Sequence, residues 1–332
     1  MGAPSGAGGP DSDQATLERV TLRLINQISF LATSRSHTRS AAAFTGLDLP
    51  PSDLRLLELL SGRPATATSM IAQDLRIDLA QASRQAAQLE AAGHLVRSVD
   101  PTDRRRTLIE LSAPTGELLD RWLLSWAGEY VEPLAAWEAS DVADLSEWIA
   151  LVRTRLAEAL PHSPGTWAAD RWEELDDGTR DSESRSFVVA MIGLVSWVSQ
   201  SGGFGDLLES INSPINVLGL TTLRVIEHRG PMSVTEVAER LAVDPSQASK
   251  RLRQLTDARL LDRAVDGFDR RSNLIRVSRR GANFLAKIER VQLEGFEMLV
   301  EDVDRAQRER WTPLMEQYCE SLLRRSPSWR DA

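Results

Sequence analysis

The residues best suited to chemistry in this chain are basic and amide side chains that occur in two matching sets. The triplet Asp-Arg-Arg is found at residues 103–105 and again at 269–271. Gln-Ala-Ser followed by a basic residue is found at 81–84 and again at 247–250. Guanidinium, ammonium and amide groups form hydrogen bonds with phosphate oxygens and with base edges in DNA grooves, so both sets favour nucleic-acid recognition.

Patterns typical of enzymes are missing from the sequence. The four histidines, His37, His94, His162 and His228, have no metal-ligand spacing, and there is neither a nucleophile elbow nor a glycine-rich phosphate loop. We therefore expect a protein that is not an enzyme, with no catalytic residue, no metal and no cofactor.

Cysteine usage and hydropathy bear on the cellular compartment. Cys319 is the only cysteine, which rules out an internal disulfide and favours a reducing cytosol. No run approaches the roughly 18 to 20 apolar residues of a transmembrane helix, and residues 1–13 lack the apolar core of a signal peptide. We expect a cytoplasmic protein.

Both sets of basic and amide residues lie within an internal repeat. Residues 54–112 and 220–278 align without a gap at an offset of 166 residues, and 22 of the 59 aligned positions are identical. A repeat of this length is a whole domain, whereas the units of a solenoid are usually about 20 to 50 residues. The chain of 332 residues therefore contains two similar domains.

The net charge of −9 is unevenly distributed along the chain. Residues 54–112 carry 8 Lys and Arg against 7 Asp and Glu, and residues 220–278 carry 11 against 8. The repeats thus sum to +4 and the remaining segments to −13. Because charges farther apart than about 8 Å are screened at physiological salt, a local basic surface is enough to bind a polyanion.

The second repeat predicts three helices followed by a hairpin. A helix over 218–229 ends at Gly-Pro, and a second begins at Ser233, where Glu236 completes a capping box. Asp244 followed by proline starts the third helix, which extends to about residue 258. Two short strands then flank a polar connection at 266–272. Helices joined by a short turn and followed by a hairpin form a winged helix-turn-helix.

The first repeat has the same order of elements, and long amphipathic helices flank both repeats. The elements of the first repeat are helices over 52–60, 69–75 and 78–92 and a hairpin with its tip at 100–106. The flanking helices are expected at 17–31, 116–137, 142–160, 187–198, 282–303 and 305–325. Such long helices must pack on one another, because a small winged domain cannot bury them.

The sequence therefore predicts a mainly α fold with small β-hairpin wings. Two winged helix-turn-helix domains are expected to be joined by a helical layer of the kind that forms dimers. The predicted boundaries are a disordered tail at 1–13, a first module at 14–160, a linker at 161–182 and a second module at 183–326.

The second hairpin carries a pattern of an acidic residue, arginines, an apolar strand and a glycine. The residues are Asp269, Arg271, Val277, Ser278 and Gly281. Their counterparts in the first repeat are Asp103, Arg105, Leu111, Ser112 and Gly116, with one extra residue before the glycine. This pattern resembles the wing of the MarR family of bacterial transcriptional regulators, and residues 244–249 resemble the start of that family's recognition helix.

The resemblance implies a fold and a function. Members of the family are usually homodimers with one winged domain per chain, joined by their terminal helices. It therefore implies that this chain is a single-chain pseudo-dimer that binds double-stranded operator DNA in a bacterial cytoplasm, with further oligomerisation left open. Repression released by a small effector is the commoner mode in the family, and we expect it here.

The expected DNA contacts lie on the two recognition helices and the two wings. In the first module they are Gln81, Ser83, Arg84, Gln85, Arg104, Arg105 and Arg106. In the second module they are Ser246, Gln247, Ser249, Lys250, Arg251, Arg253, Arg270 and Arg271. Glutamine pairs with adenine and arginine or lysine with guanine or phosphate, while a wing arginine enters the minor groove. The family pattern suggests that a second wing arginine pairs with Asp103 or Asp269. For Gln81 and Gln247, closing the capping box is an equally open alternative.

The two recognition helices differ in charge. The first has Arg84 as the one basic residue in its first ten, whereas the second has Lys250, Arg251 and Arg253. Because a fused chain is free to diverge, we expect an imperfect palindrome with half-sites about ten base pairs apart and tighter binding by the second module.

The identity of a ligand and one rival function stay open at this point. Tryptophans in the expected helical layer suggest a small aromatic or amphipathic effector, although core packing explains them more simply. They are Trp122, Trp126, Trp137, Trp148, Trp197 and Trp311. The rival function is a winged-helix protein-interaction module that has lost or weakened DNA binding in its first module.

Overall fold

The protein is described by a computed structural model over residues 16–32, 42–47, 49–61, 63–75, 77–104, 106–159, 167–175, 181–200, 203–241, 243–265 and 273–325. It is mainly helical, with two small antiparallel sheets. The fold class predicted from the sequence is confirmed: two winged helix-turn-helix units are joined by a layer of long helices. In the described ranges, no helix combines the length and apolar character needed to span a bilayer.

The first half contains the elements α1 to α6 and β1 to β3. They are α1 (Leu17–Ala32), α2 (Pro51–Leu60), β1 (Thr66–Ala67), α3 (Thr68–Leu75), α4 (Leu79–Ala91), β2 (Leu95–Val99), β3 (Thr107–Leu111), α5 (Ala113–Val131), a short 3-10 helix (Glu132–Leu134) and α6 (Ala139–Ala159). The sequence had suggested one helix to residue 137. It ends earlier because Pro133 has no N–H to continue the α-helical ladder.

The second half repeats this order after one additional helix. The additional helix is α7 (Trp167–Leu175), and it is followed by α8 (Ser182–Gln200), α9 (Gly203–Ser210), α10 (Val217–Arg229), α11 (Val234–Leu241), α12 (Pro245–Asp257), β4 (Leu261–Val265), β5 (Asn273–Val277), α13 (Arg279–Leu299) and α14 (Arg305–Arg325). Helix α4 begins at Leu79 and its counterpart α12 begins at Pro245, 166 residues later. The structural repeat thus extends beyond the aligned segments to the long helices.

Each winged unit has its own core and its own hairpin. In the first unit the strand order is β1-β3-β2, with Leu95 opposite Leu111 and Val99 opposite Thr107. In the second unit β4 and β5 pair in the same register, and an isolated bridge between Met232 and Ile275 replaces β1. Apolar residues from the three helices and the hairpin close both cores.

The long helices of the two halves share a third core. Helix α1 of the first half packs against α13 and α14 of the second, and α8 of the second half packs against α5 and α6 of the first. Buried residues from all these helices form one continuous cluster. Each half therefore buries its first long helix largely against the other half.

Aromatic rings occupy the centre of this shared core. The Trp148 and Trp311 rings, one from each half, have centroids 5.3 Å apart, and Phe296 meets Trp148 edge-on at 6.2 Å. The indole Nε1 of Trp148 donates a 3.0 Å hydrogen bond to the Thr21 hydroxyl. This bond satisfies the one polar atom of a side chain that is otherwise fully buried.

The tryptophans expected in the helical layer divide between two cores. Trp148, Trp197 and Trp311 are buried in the layer, and Trp137 packs against it. Trp122 instead belongs to the core of the first winged unit, which corrects its assignment to the layer. The side chain of Trp126 lies outside the described residues.

Helix α7 lies inside the segment that the sequence suggested as a linker, and it is a packed element. Its Trp172 is fully buried against Ala127 of α5 and against Val188 and Ile192 of α8. Arg171 forms two hydrogen bonds with the Asp120 carboxylate, at 3.0 and 2.6 Å. Helix α7 thus ties α5, which follows the first wing, to α8 of the second half.

The tie has no sequence counterpart at the other end of the repeat. Moving back by 166 residues from α7 leads to residues 1–9, Met-Gly-Ala-Pro-Ser-Gly-Ala-Gly-Gly, which include neither tryptophan nor arginine. The position equivalent to Ile192 is Asn26, and the position equivalent to Asp120 is Ala286. The apolar site of Trp172 is therefore a feature of one half of the repeat.

We expect Trp172→Ala to lower the free energy of unfolding by about 3 to 5 kcal/mol, because it empties an apolar site filled by a large ring. Urea unfolding followed by circular dichroism measures the change. Glu173→Ala, at an exposed position on the same helix, is the matched control and should change stability by less than about 0.5 kcal/mol. Equal stability of the two variants would show that α7 does not contribute to the packed structure.

Candidate nucleic-acid interface

The N-terminal ends of α4 and α12 are held by aspartate caps. The Asp244 carboxylate accepts hydrogen bonds from the backbone N–H groups of Ser246 and Gln247, both at 2.9 Å, and from the Ser246 hydroxyl. The Asp78 carboxylate accepts one from the backbone N–H of Gln81 at 2.7 Å. The hydroxyl of Ser246, followed by the N–H of Gln247, lowers the pKa of Asp244. The two caps confirm the predicted helix starts.

The outer face of α12 carries polar and basic side chains. Ser246, Gln247, Lys250 and Arg253 are exposed, and the buried positions Ala248, Leu252 and Leu255 face the core of the unit. The two other predicted contacts on this helix, Ser249 and Arg251, are half-buried. Burial lowers the pKa of Arg251, and the charge of Asp244 opposes that shift. Arg251 therefore lies between the exposed face and the protein.

The outer face of α4 is less polar. Ser83 and Arg84 are exposed and Gln81 is half-buried. Gln85, at the position equivalent to Arg251, is turned toward α2, where its amide donates a 3.4 Å hydrogen bond to Asp53. Of the predicted contacts on this helix, Ser83 and Arg84 are the exposed ones.

The first wing tip is organised by a residue that the motif analysis did not single out. Asp100 accepts hydrogen bonds from the N–H and hydroxyl of Thr102, at 2.8 and 2.6 Å, and from the N–H of Asp103 at 3.3 Å. The backbone N–H of Arg106 closes the turn on the Asp103 carbonyl at 2.8 Å. The Thr102 hydroxyl is the largest cause of the lowered pKa of Asp100.

This turn leaves two of the predicted wing arginines exposed. Arg104 and Arg106 extend from the tip into solvent, while Arg105 lies outside the described residues. Arg270 and Arg271 also lie outside them, since the second tip falls within residues 266–272. The signal that could have identified Asp100 is the sequence Asp-Pro-Thr-Asp, in which an aspartate side chain bonds the backbone two residues on. The second repeat has an aspartate, Asp266, at the same place.

The joint between each wing and the following long helix differs between the halves. In the second half the Ser278 hydroxyl donates to the Arg259 carbonyl at 2.8 Å and accepts from the Gly281 N–H at 2.9 Å. A Cβ atom at Gly281 would overlap the Leu260 carbonyl oxygen and lie 2.8 Å from Val277 Cγ1. Glycine is required here because the helix touches the strand backbone.

The counterpart of Gly281 in the first half is Thr115, not Gly116 as the wing pattern suggested. Ser112 and Ser278 both precede the first residue of their helix, so the third helical residue is Thr115 in one half and Gly281 in the other. Thr115 is buried, and its hydroxyl lies 3.0 Å from the Ser112 hydroxyl and 3.2 Å from His94 Nδ1. Gly116 has open space around it. A polar cluster thus replaces the close backbone contact.

A buried polar cluster lies between the second winged unit and the helical layer. Arg224 of α10 donates to Asn26 Oδ1 of α1 at 3.1 Å and to Gln292 Oε1 of α13 at 2.9 Å. Burial lowers the pKa of Arg224 to about 10, and the charge of Glu289 opposes the shift. The equivalent residue in the first half is Glu58. A buried cation therefore joins winged unit and layer on one side of the molecule.

Neither a metal centre nor a reactive thiol emerges in the described part of the chain. No group of His, Cys, Asp and Glu within it is arranged to hold a metal ion. Cys319 is buried in the layer, where burial raises the pKa of its thiol to about 12.

Comparison with known proteins identifies two related segments in the chain. The profile of the MarR family matches residues 47–106 and 215–272, which contain the two helix-turn-helix units. Among curated proteins, none matches the chain.

Solved structures of similar proteins each align with one part of the chain. A MarR family transcriptional regulator from Silicibacter pomeroyi DSS is 21% identical, with a TM-score of 0.33, and the match covers 45% of this chain and 96% of that one. RV1404 from Mycobacterium tuberculosis is 21% identical, with a TM-score of 0.32, and covers 35% and 80%. A structure of MarR is 22% identical, with a TM-score of 0.29, and covers 36% and 87%.

We expect Gly281→Ala to lower the free energy of unfolding by about 1 to 3 kcal/mol, since the new methyl group overlaps backbone that cannot move aside cheaply. Gly116→Ala is the matched control, because its methyl group meets no atom within 4 Å. It should raise stability by about 0.5 to 1 kcal/mol through helix propensity. Denaturant titration of both variants checks the contrast, and a stable Gly281→Ala variant would contradict the close contact.

Proposed function

Because the chain carries two MarR-like winged-helix modules in tandem, we propose that it is a transcriptional regulator that binds double-stranded DNA in a sequence-specific manner. The observation that carries the proposal is the pair of recognition helices, α4 and α12. Each has a capped N-terminal end and an exposed outer face, and the second presents Lys250 and Arg253. One shared layer of helices holds both units in the same molecule.

In this proposal each recognition helix enters a major groove with its N-terminal end, where side chains reach the base edges. Gln81 and Gln247 pair with adenine, because their backbone N–H groups already occupy the aspartate caps. Lys250 and Arg253 bind phosphate or guanine. Arg104 or Arg106 of the first wing, and Arg270 or Arg271 of the second, reach the minor groove.

The two modules act as a pseudo-dimer within one cytoplasmic chain of a bacterium. Module one comprises residues 14–160 and module two residues 183–326, with 161–182 between them. The DNA site is an imperfect palindrome whose half-sites are about ten base pairs apart, since the two helices present different side chains. The second module binds more tightly, because Lys250 and Arg253 replace Arg84 and Ala87 on its exposed face.

The regulator is a repressor that a small anionic, aromatic molecule releases. The support for this part is the cluster of Arg224, Asn26 and Gln292 between the second winged unit and the layer. A carboxylate could replace the amide oxygens as partner of the guanidinium, and charge-assisted bonds are stronger than neutral ones. Ligand binding there would shift the winged unit relative to α1 and α13.

A protein-interaction role of the first module is the second candidate function. The observation that favours it is a set of exposed apolar side chains on this module, namely Met70, Leu79, Val96 and Val99, which are 51%, 57%, 46% and 62% exposed. A protein partner would bury them. Such a module would contribute little to DNA affinity.

A salt titration of DNA binding tests the proposed function. A duplex selected from a random library is the probe, and Lys250→Ala combined with Arg253→Ala should weaken binding more than Arg84→Ala. Each lost phosphate contact should reduce the slope of log K against log salt by about 0.9. Arg270→Ala combined with Arg271→Ala should flatten the slope in the same way. Arg290→Ala, at an exposed position on α13, is the control. An unchanged slope in both double variants, or a footprint with equal protection of two identical half-sites, contradicts the proposal.

A ligand screen tests the effector. Aromatic carboxylic acids should raise the melting temperature of the chain, because a ligand that binds only the folded state stabilises it. The increase should vanish in Arg224→Met and persist in Arg229→Met, an exposed position at the end of the same helix. No shift with any acid, or equal shifts in both variants, rules out this site.

A further inference from the structure

The start of α4 presents apolar side chains where α12 presents polar or cyclic ones. Leu79 and Ala80 are the first two residues of α4, and both are exposed. Their counterparts in α12 are Pro245 and Ser246. Farther along the same outer face, Ala87 replaces Arg253. The two helices therefore differ in chemistry at the end that would enter a major groove.

The exposure of Leu79 is unusual for a leucine in a helix with an apolar buried face. The buried residues of α4 are Ala82, Ala86 and Leu89, which form the face toward the core. Leu79 continues that face by one turn beyond the body of the unit, and 57% of it remains exposed. Helical side chains tilt toward the N-terminus, so Leu79 and Ala80 cover the end of the helix.

A thymine methyl group is the one apolar group that base pairs present in the major groove. Apolar side chains contact it, whereas adenine, guanine and cytosine offer hydrogen-bonding atoms there. Resting on the DNA binding proposed above, we infer that Leu79 and Ala80 contact thymine C5-methyl groups and give the first module a preference for A·T base pairs. Gln81, the next residue, pairs with the adenine of such a base pair.

This assignment explains why the first recognition helix has so little charge. Arg84 supplies the phosphate or guanine contact on its outer face, and apolar contacts to thymine supply the remaining selectivity. In the second module Ser246 and Lys250 offer hydrogen bonds instead. The two half-sites should therefore differ in composition, with thymines confined to the positions that α4 faces.

Replacement of thymine by deoxyuridine tests the inference, because it removes the C5-methyl group and keeps base pairing. A selected duplex is scanned with single substitutions in each half-site, and binding is measured by fluorescence anisotropy. We expect each contacted position to weaken binding about fourfold, the equivalent of about 0.8 kcal/mol for one methyl group. The sensitive positions should lie in one half-site.

Two matched variants assign the sensitivity to residues. Leu79→Pro with Ala80→Ser gives α4 the start of α12, and it should remove the deoxyuridine effect while keeping binding. The reciprocal pair, Pro245→Leu with Ser246→Ala, should create the effect in the other half-site. Leu218→Ser, at a leucine that is 45% exposed outside both recognition helices, should change neither.

The outcomes separate this inference from the proposed function. If no duplex is enriched by selection at low salt, the DNA-binding function itself fails. If a specific duplex is bound and deoxyuridine has no effect in either half-site, only the thymine contacts are refuted. A footprint confined to the half-site of α12 also refutes them, and it would leave the apolar start of α4 for a protein partner.

Discussion

The structure depends on burying the apolar faces of α1 and α8, which neither half of the chain can bury by itself. Helix α1 packs on α13 and α14, and α8 packs on α5 and α6. Trp148 and Trp311 meet at the centre, and the only polar atom of Trp148 is satisfied by Thr21 of α1. Separation of the halves would expose this core to water. Covalent linkage makes the association intramolecular, with an effective concentration of about millimolar or above.

The shared core also sets how the two winged units are held. Each unit is connected to the layer through the helix that follows its wing, α5 or α13. In the first half α7 fixes α5 to α8 through Trp172 and through the paired hydrogen bonds of Arg171 with Asp120. In the second half Arg224 bridges the unit to α1 and α13 through neutral amides. Apolar burial and a charge pair hold one side, and a buried polar cluster holds the other.

Fusion permits this asymmetry. In a dimer of identical chains every substitution appears twice, and both copies must fit. Here Trp148 has Leu314 as its counterpart, and Trp311 has Leu145, so the large rings interlock where two equal rings would compete for space. Thr115 and Gly281 differ in the same way at the two wing joints. Equivalent sites were therefore free to acquire different chemistry.

The sequence was sufficient for features that depend on local geometry. Helix starts at Ser233 and Asp244 follow from side chains that cap their own backbone, and the structure contains both caps. Features that depend on distant partners were missed. Helix α7 is short, and Trp172 packs against residues of α5 and α8 that are far from it in sequence. Gln85 turns inward because of Asp53, 32 residues away. Residue type predicted its chemistry, but only tertiary contacts determined which way it faced.

The charge distribution acquires a meaning once the layer and the winged units are placed. The repeats carry +4 and the remaining chain −13, and exposed acids such as Glu147, Glu301 and Asp302 lie on the layer. For a chain that binds DNA as proposed, an acidic layer repels the phosphate backbone while the winged faces attract it, so misoriented encounters are disfavoured. The second repeat carries three of the four excess positive charges. It should therefore make the first contact, after which the rigid shared core brings α4 to the neighbouring groove.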